Sequence, residues 1–264
     1  MKFFNFNTTV IALILVMIIS LPHISEASFT FKIAPWLSTI KAALTQAKIN
    51  SSVNGFLRDG LVGQWSFDGP DTTNTTALDR SGQNNTGTLD GMTLASNAIA
   101  GKNGQAIDFD GVDDQIIITN MDTYGIMSIA LWIKRGRNDN PTHDGLMGCQ
   151  DGGGWGIGIS DPDGGLIFLT QIGLSNVTSV GTITDFDWHH IVITYDGNDA
   201  IFYIDGVFDA TAAYSVLPFD CSGGAYTIGN SNSTTWYQGI LDDVRVYNRV
   251  ISAEEVARLY RLAR

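Results

Sequence analysis

Residues Gly239 to Tyr260 read GILDDVRVYNRVISAEEVARLY. Taken as an extended strand, the first half sends Ile240, Asp242, Val244 and Val246 to one face and Leu241, Asp243, Arg245 and Tyr247 to the other. Asp243 and Arg245 can pair on their face, but Asp242 stands in a row of valines, where burying an unpartnered carboxylate is costly. After the strand, Ser252 and Glu255 have the Ser-x-x-Glu spacing of a capping box. Val256, Leu259 and Tyr260 give the helix that follows an apolar side, so a short helix is expected to clasp the finished domain.

Upstream, short alternating or apolar runs are divided by turns. Asp-Gly recurs at Asp59, Asp68, Asp90, Asp110, Asp144, Asp151, Asp163, Asp196 and Asp205, and this dipeptide supports the positive φ of tight hairpin turns. Between these turns QAIDFDG, DQIIIT, MSIALWIKR, GWGIGIS, GLIFLTQIG, HIVITYDG, AIFYIDGVFDAT and AYTIGN read as strands. No long helices separate them, as a parallel α/β fold would require, so the pattern predicts an all-β domain of two antiparallel sheets packed face to face. DGGGWGIGIS is one strand with a bare face, Gly154, Gly156 and Gly158 alternating with Trp155, Ile157 and Ile159. No helix follows it to hold a phosphate.

The first residues differ in character. Lys2, the apolar run Val10 to Leu21 and the small residues around Ala27 predict a cleaved signal peptide over 1–27. The apolar run falls short of the ~20 residues that cross a bilayer. Residues 28–59 contain LSTIKAALTQAKI and are expected to form a helical spacer, with the β domain over 60–264. The mature chain is therefore expected to be secreted or held at a cell surface, with no membrane span. A formal charge of −12 argues against nucleic acid as a partner. Cys149 and Cys221 are the only cysteines and could join as one disulfide in an oxidising compartment, a pairing that spacing leaves open.

Eight phrases, in order, carry a resemblance: GLVGQWSFDG, LDRSGQNNTGTLDG, GKNGQAIDFDGVDDQIII, MSIALWIKR, WHHIVITYDG, AIFYIDGV, YTIGN and LDDVRVYNRVISAEEVARLY. Together they resemble the laminin-G-like, pentraxin-like jelly rolls of concanavalin A type, from about Gly60 to Leu262. The resemblance implies two curved antiparallel sheets, a last strand placed near the first, and commonly a bound calcium ion. It places Trp65, Phe67, Phe109, Trp132 and Trp188 at regular strand positions, where core packing is expected. His189 and His190 fall at the start of a strand with no acid or nucleophile motif beside them and are expected to be hydrogen-bonded strand residues.

Glucanases of this fold carry paired glutamates on one strand, because glycoside hydrolysis needs two carboxylates flanking the scissile bond. Here the only glutamates are Glu26, Glu254 and Glu255. The first lies in the signal segment and the others serve the terminal helix, so no catalytic residue is assigned and a non-catalytic binding module is expected; a glycoside hydrolase is the lesser alternative. The resemblance also brings the loop after the first strand beside the last strand. There Asp79 and Asp242, helped by Asp68 and Asn85, are expected to hold a structural Ca2+; Asp242 accepting backbone N–H groups is the rival expectation. Relatives often carry Gly-Asn where this chain has Asn84-Asn85, which leaves the amide ligand open. For a ligand, Trp236 and Tyr237 in STTWYQG and Trp155 beside the bare glycine face are candidates to stack on sugar rings, with core packing the alternative for Trp236 and the favoured alternative for Trp155. The expected partner is a glycan, with an extracellular protein in an adhesion or structural assembly as the alternative.

Overall fold

The computed structural model describes residues 57–122, 124–139, 143–149, 154–160, 162–170, 176–213, 221, 224–231 and 235–262, with Lys41 and Gly55. The expected signal segment and almost all of the expected helical spacer lie outside these residues. The compact unit of the domain begins at Leu57, three residues before Gly60.

In chain order the strands begin with β1 (Leu61–Trp65), β2 (Thr76–Ala77), β3 (Gly87–Asp90), β4 (Ala98–Ala100), β5 (Gln105–Asp110) and β6 (Gln115–Ile118). β7 (Met127–Arg135), β8 (His143–Cys149), β9 (Trp155–Ser160), β10 (Gly165–Thr170) and β11 (Asn176–Thr182) follow. The last are β12 (Trp188–Tyr195), β13 (Asp199–Ile204), β14 (Val207–Ala213), β15 (Tyr226–Ile228) and β16 (Gln238–Tyr247). One turn of helix, α1 (Leu94–Asn97), precedes β4, and α2 (Ala253–Leu262) closes the chain. All pairings are antiparallel and make two sheets, β14-β13-β12-β7-β16-β5-β4 with β1 also on β16, and β11-β10-β9-β8-β15-β6-β3-β2. This is the two-sheet sandwich that the alternating runs predict. β8 and β11 were not among the sequence-read strands: glycines dilute the first, and Asn, Thr and Ser the second.

Of the eight Asp-Gly steps among the described residues, six put glycine at positive φ: Gly60, Gly91, Gly111, Gly164, Gly197 and Gly206. Asp144-Gly145 does not turn at all but lies inside β8. The inner faces of the two sheets bury Trp65, Phe109, Leu131, Ile133, Ile157, Phe168 and Phe202 among others. A large apolar side chain contributes about 1.5–3 kcal/mol when fully buried. A second cluster covers the outer face of the first sheet, where Leu57, Leu61, Ala130, Val192, Tyr203 and Tyr247 meet Ile251, Val256 and Leu259. β7 is consequently buried on both faces, which is why MSIALWIKR reads as almost continuous apolar sequence.

The capping box forms as spaced: Ser252 N–H donates to Glu255 Oε2 at 2.7 Å and Glu255 N–H to Ser252 Oγ at 3.3 Å. Arg249 also grips Glu255 with both terminal nitrogens, fixing the corner between β16 and α2. Trp132 is buried, but away from the main core. It lies on the outer face under Tyr260 and His190, with Lys102 Nζ 4.7 Å from its ring centre. Trp188 is only half-buried. Cys149 at the end of β8 and Cys221 form a disulfide with Cα atoms 5.9 Å apart.

Candidate functional site

Asp242 does not share a face with Val244 and Val246. β16 pairs with β7 through Leu241↔Ile133 and Asp242↔Trp132, then shifts register so that Arg245 faces Ala130. The extra residue is Asp243, at φ +45°, a β-bulge that resets the alternation. Leu241, Val244 and Val246 therefore feed the core, whereas Asp242, like Trp132, is on the outer face. Strict period-two reading put the carboxylate in the valine row because it had no means of seeing the bulge.

The same point is a gap in the sheet. On its other edge β16 pairs with β5 only from Gln238 to Leu241, and with β1 only from Val244 to Tyr247. Asp242 stands where one partner strand ends and the other begins. Into that gap comes the 101–105 turn, closed by Gly101 N–H to Gly104 C=O at 3.0 Å. Asn103 N–H donates to Asp242 Oδ2 at 2.9 Å, and Gln105 N–H donates to Asp68 Oδ1 at 2.9 Å. A side chain at Gly101 would run into Asp242 Oδ2, and one at Gly104 into Asp68, so both glycines make room for carboxylates.

Asp242 is fully buried, and its Oδ1 has no hydrogen-bond partner among the described residues. Burial pushes its pKa up to about 7; the charges of Asp243 and Asp68 push the same way, against the Asn103 N–H. Two carboxylates on one glycine-lined turn, one with an orphaned buried oxygen, form a donor set suited to a hard oxygen-seeking cation.

Asp79 and Asn85 lie elsewhere, on the edge of β1 away from β16. Asp79 Oδ1 accepts from Gln64 N–H at 3.0 Å and Ser81 N–H at 2.8 Å; Oδ2 accepts from Ser81 Oγ at 2.7 Å and Asn85 N–H at 2.9 Å. Asn85 Nδ2 donates to Val62 C=O, and its own carbonyl accepts from Trp65 Nε1. The quartet expected around one ion thus separates into two pairs. Asp68 and Asp242 share the 101–105 turn, while Asp79 and Asn85 brace their own loop against β1.

The sugar-stacking candidates separate too. Trp155 is in the core against Tyr226, with ring centres 5.9 Å apart, so it does not present a face to solvent. Tyr237 is fully buried, donates from its hydroxyl to Lys134 C=O at 3.0 Å and meets Phe109 edge-on. Both are corrected to core residues. Successive residues of an extended segment face opposite ways, so burial of Tyr237 turns half-buried Trp236 outward.

The bare glycine face is not open either. Side chains at Gly145, Gly148 and Gly156 would collide with Ser231, and one at Gly145 also with the Thr235 backbone. The glycines of β8 and β9 are the seat for the chain's own segment, held by Ser231 Oγ to Thr235 Oγ1 at 2.7 Å and Thr227 Oγ1 to Asn230 C=O at 2.8 Å.

What remains accessible at that end is a rim at the start of β16. Arg137 donates through Nε (2.9 Å) and Nη2 (2.6 Å) to Oδ1 of Asp144, which is 1% exposed, and through Nη2 to Trp236 C=O at 2.8 Å. Sequence reading overlooked both residues, since Asp144 was taken for a turn and Arg137 stands in no motif. Across β7 from Leu241, His189 lies between Asp205 (Nδ1, 2.9 Å) and Asp185 (Nε2, 2.9 Å). The hydrogen bond to Asp205, reinforced by Asp185 and opposed by burial, raises its pKa to about 9. His190 is buried, which lowers its pKa to about 4; its Nδ1 has no hydrogen-bond partner among the described residues, against the expectation of a satisfied strand histidine.

Two jelly-roll sheets closed by a first-to-last strand pairing define a concanavalin A-like domain. The Laminin_G_3 family, described as the Concanavalin A-like lectin/glucanases superfamily, matches residues 109–257, more than half of the chain, and the chain belongs to it. No curated protein matches the sequence. Among solved structures, domain 4 of AbnA, a GH43 extracellular arabinanase from Geobacillus stearothermophilus in complex with arabinotriose, superposes with TM-score 0.62 at 19% identity, over 76% of this chain and 98% of that one. The binding domain of Paraclostridial Mosquitocidal Protein 1 gives 0.62 at 20% identity, over 77% of this chain and 52% of that one. The binding domain of botulinum neurotoxin DC, solved with rat synaptotagmin II, gives 0.59 at 16%, over 79% and 52%. The chain spans about half the length of the two toxin domains. At these identities the likeness is one of fold; the two toxin structures are binding domains, and the arabinanase domain holds a bound arabinotriose. Among the described residues no helix is long and apolar enough to cross a membrane.

Proposed function

We propose that this domain is a non-catalytic recognition module of an exported protein, binding a glycan at the rim that carries Trp236, with a structural calcium ion held by Asp68 and Asp242. The observation that carries the glycan reading is the outward-turned Trp236 beside an anchored Arg137, on a sandwich whose glycine face is filled by its own chain. An aromatic ring next to a fixed polar group is what a pyranose or furanose face needs. The arabinotriose bound to the arabinanase domain supports the same reading. The ion would neutralise Asp242 and pin the turn before β5 to the last strand. Its chemistry there is cohesion, because both carboxylates accept from N–H groups of one backbone turn.

The lack of glutamate between Ser28 and Ala253 supports a non-catalytic reading. So does the bracing role of the carboxylates on the β5–β6 turn, where Asp114 Oδ2 accepts from Asn97 Nδ2 and Asp110 N–H. A second reading, protein adhesion, is favoured by exposed Phe186, Val207 and Phe208 around the β13–β14 turn, and by the toxin domain solved with a protein receptor. A glycan array probed with and without chelator, and with Trp236→Ala, separates the two. Glycan binding that Trp236→Ala reduces at least tenfold supports the rim; an array without signal overturns the glycan reading and leaves adhesion.

A further inference from the structure

Resting on the glycan reading of the rim, we propose that the ligand is a neutral sugar bearing a vicinal diol, read jointly by Arg137 and Asp110, and that glycans carrying carboxylates are rejected. Arg137 uses Nε and Nη2 on Asp144 and Trp236, but Nη1 makes no hydrogen bond among the described residues. Its side chain keeps 23% of its surface exposed although its partner is buried. Nη1 lies directly under the β5–β6 turn, 3.1 Å from where a Cβ on Gly111 would stand; Gly111, at φ +79°, supplies that clearance.

The neighbouring residue in that turn is Asp110, whose Cα pairs with Gln238 two residues after Trp236. Asp110 Oδ1 accepts from Val112 N–H at 2.8 Å, while Oδ2 accepts nothing among the described residues. The guanidinium forms its one ion pair with Asp144, so Asp110 is close without being neutralised. An open donor beneath Gly111 and an open acceptor on Asp110, the residue before it, can serve two adjacent hydroxyls. One hydroxyl accepts from Nη1 and the other donates to Oδ2, while the sugar's C–H face lies against Trp236.

Charge sets the selectivity. Asp144 already compensates Arg137, and oxygens of Asp110, Asp113 and Asp114 lie within 4.8 Å of one another above it. A uronate entering there meets net negative charge, and the guanidinium of Arg137 is already paired with Asp144.

The test is isothermal titration of the purified chain with arabinotriose and xylotriose as neutral probes and trigalacturonate as the anionic one. A neutral trisaccharide is expected to bind at least tenfold tighter than trigalacturonate, and Asp110→Asn with Asp113→Asn is expected to narrow that gap. Arg137→Lys keeps a cation for Asp144 but removes the planar donor, and should weaken neutral-sugar binding at least tenfold. Asp110→Asn alone, at an exposed position, tests the acceptor without threatening the fold. Trigalacturonate binding as tightly as the neutral probes overturns the charge argument and leaves a glycan module standing. Loss on Trp236→Ala with no change in Arg137→Lys or Asp110→Asn overturns the diol geometry. Binding of none of the three sugars overturns the glycan reading, and this inference with it.

Discussion

Asp79 and Asp242 are carboxylates associated with opposite edges of β1, and the fold treats them differently. Asp79 spends both oxygens on four donors of its own neighbourhood, three of them backbone N–H groups. Asp242 accepts from the Asn103 N–H, and its buried Oδ1 has no hydrogen-bond partner among the described residues. The first is a closed hydrogen-bond system that can only lose by change. The second holds its charge less readily, because burial outweighs its backbone donor and raises its pKa to about 7. Similar sequence contexts, an Asp at a strand boundary near glycines, thus conceal a brace and what we propose is a socket.

The comparison breaks most visibly at the brace. Asp79→Ala strands three backbone donors and should cost about 3 kcal/mol in chemical denaturation, while leaving any calcium response unchanged. Loss of that response on Asp79→Ala would mean the two regions are one site after all.

At the socket, added calcium should raise stability by about 2.7 kcal/mol when free ion exceeds its dissociation constant a hundredfold. Asp242→Asn should remove most of this gain and Asp68→Asn part of it. Asp243→Asn is the control, because Asp243 is engaged with Arg245 at 2.9 and 3.0 Å and asparagine tolerates positive φ. Equal calcium responses in Asp242→Asn and Asp243→Asn, read as shifts in Tm, would reduce the socket to a general charge effect of an acidic chain.

His189 offers a third solution, in which the cation for two aspartates is a proton on imidazole. Its folded pKa of about 9 lies above the ordinary 6.5. The pairing therefore stabilises fully below about pH 6.5 and is lost as pH rises through about 9. Solvent screening keeps the effect under about 1 kcal/mol. A urea midpoint that declines from pH 6 to pH 10 in the wild type but less in His189→Gln is expected; parallel profiles would show that the aspartates need no cation there.

Much of the architecture was legible because its signals are local. Asp-Gly turns, alternating runs and the Ser252–Glu255 cap each depend on residues within a few positions, and the ordered phrases tied them into one jelly roll. What escaped reading depends on partners far along the chain. Asp243 is a bulge because β16 must exchange β5 for β1 midway, a fact of topology that alternation does not encode. Trp155 looked available because glycines flank it, yet those glycines admit Ser231 from some 75 residues downstream. Asp144 looked like a turn residue and is the buried anchor of Arg137. The candidate site was legible as residue types and not as groupings: the four expected ion ligands were named, but their division into two pairs follows from which edge of β1 each one meets.

The pairing of β1 with β16 also has a mechanical meaning. The chain enters β1 at Leu61, opposite Tyr247, whereas the rim bearing Trp236 lies at the far end of β16, about 30 Å away along the strand. A pull applied through the residues before Leu61 and resisted by a ligand at the rim would run along the strand axis. It would slide β1 against β16 and load the rungs of their ladder together, and would not peel them apart singly. A domain strung in this way grips most firmly in the direction in which a tethered ligand tugs.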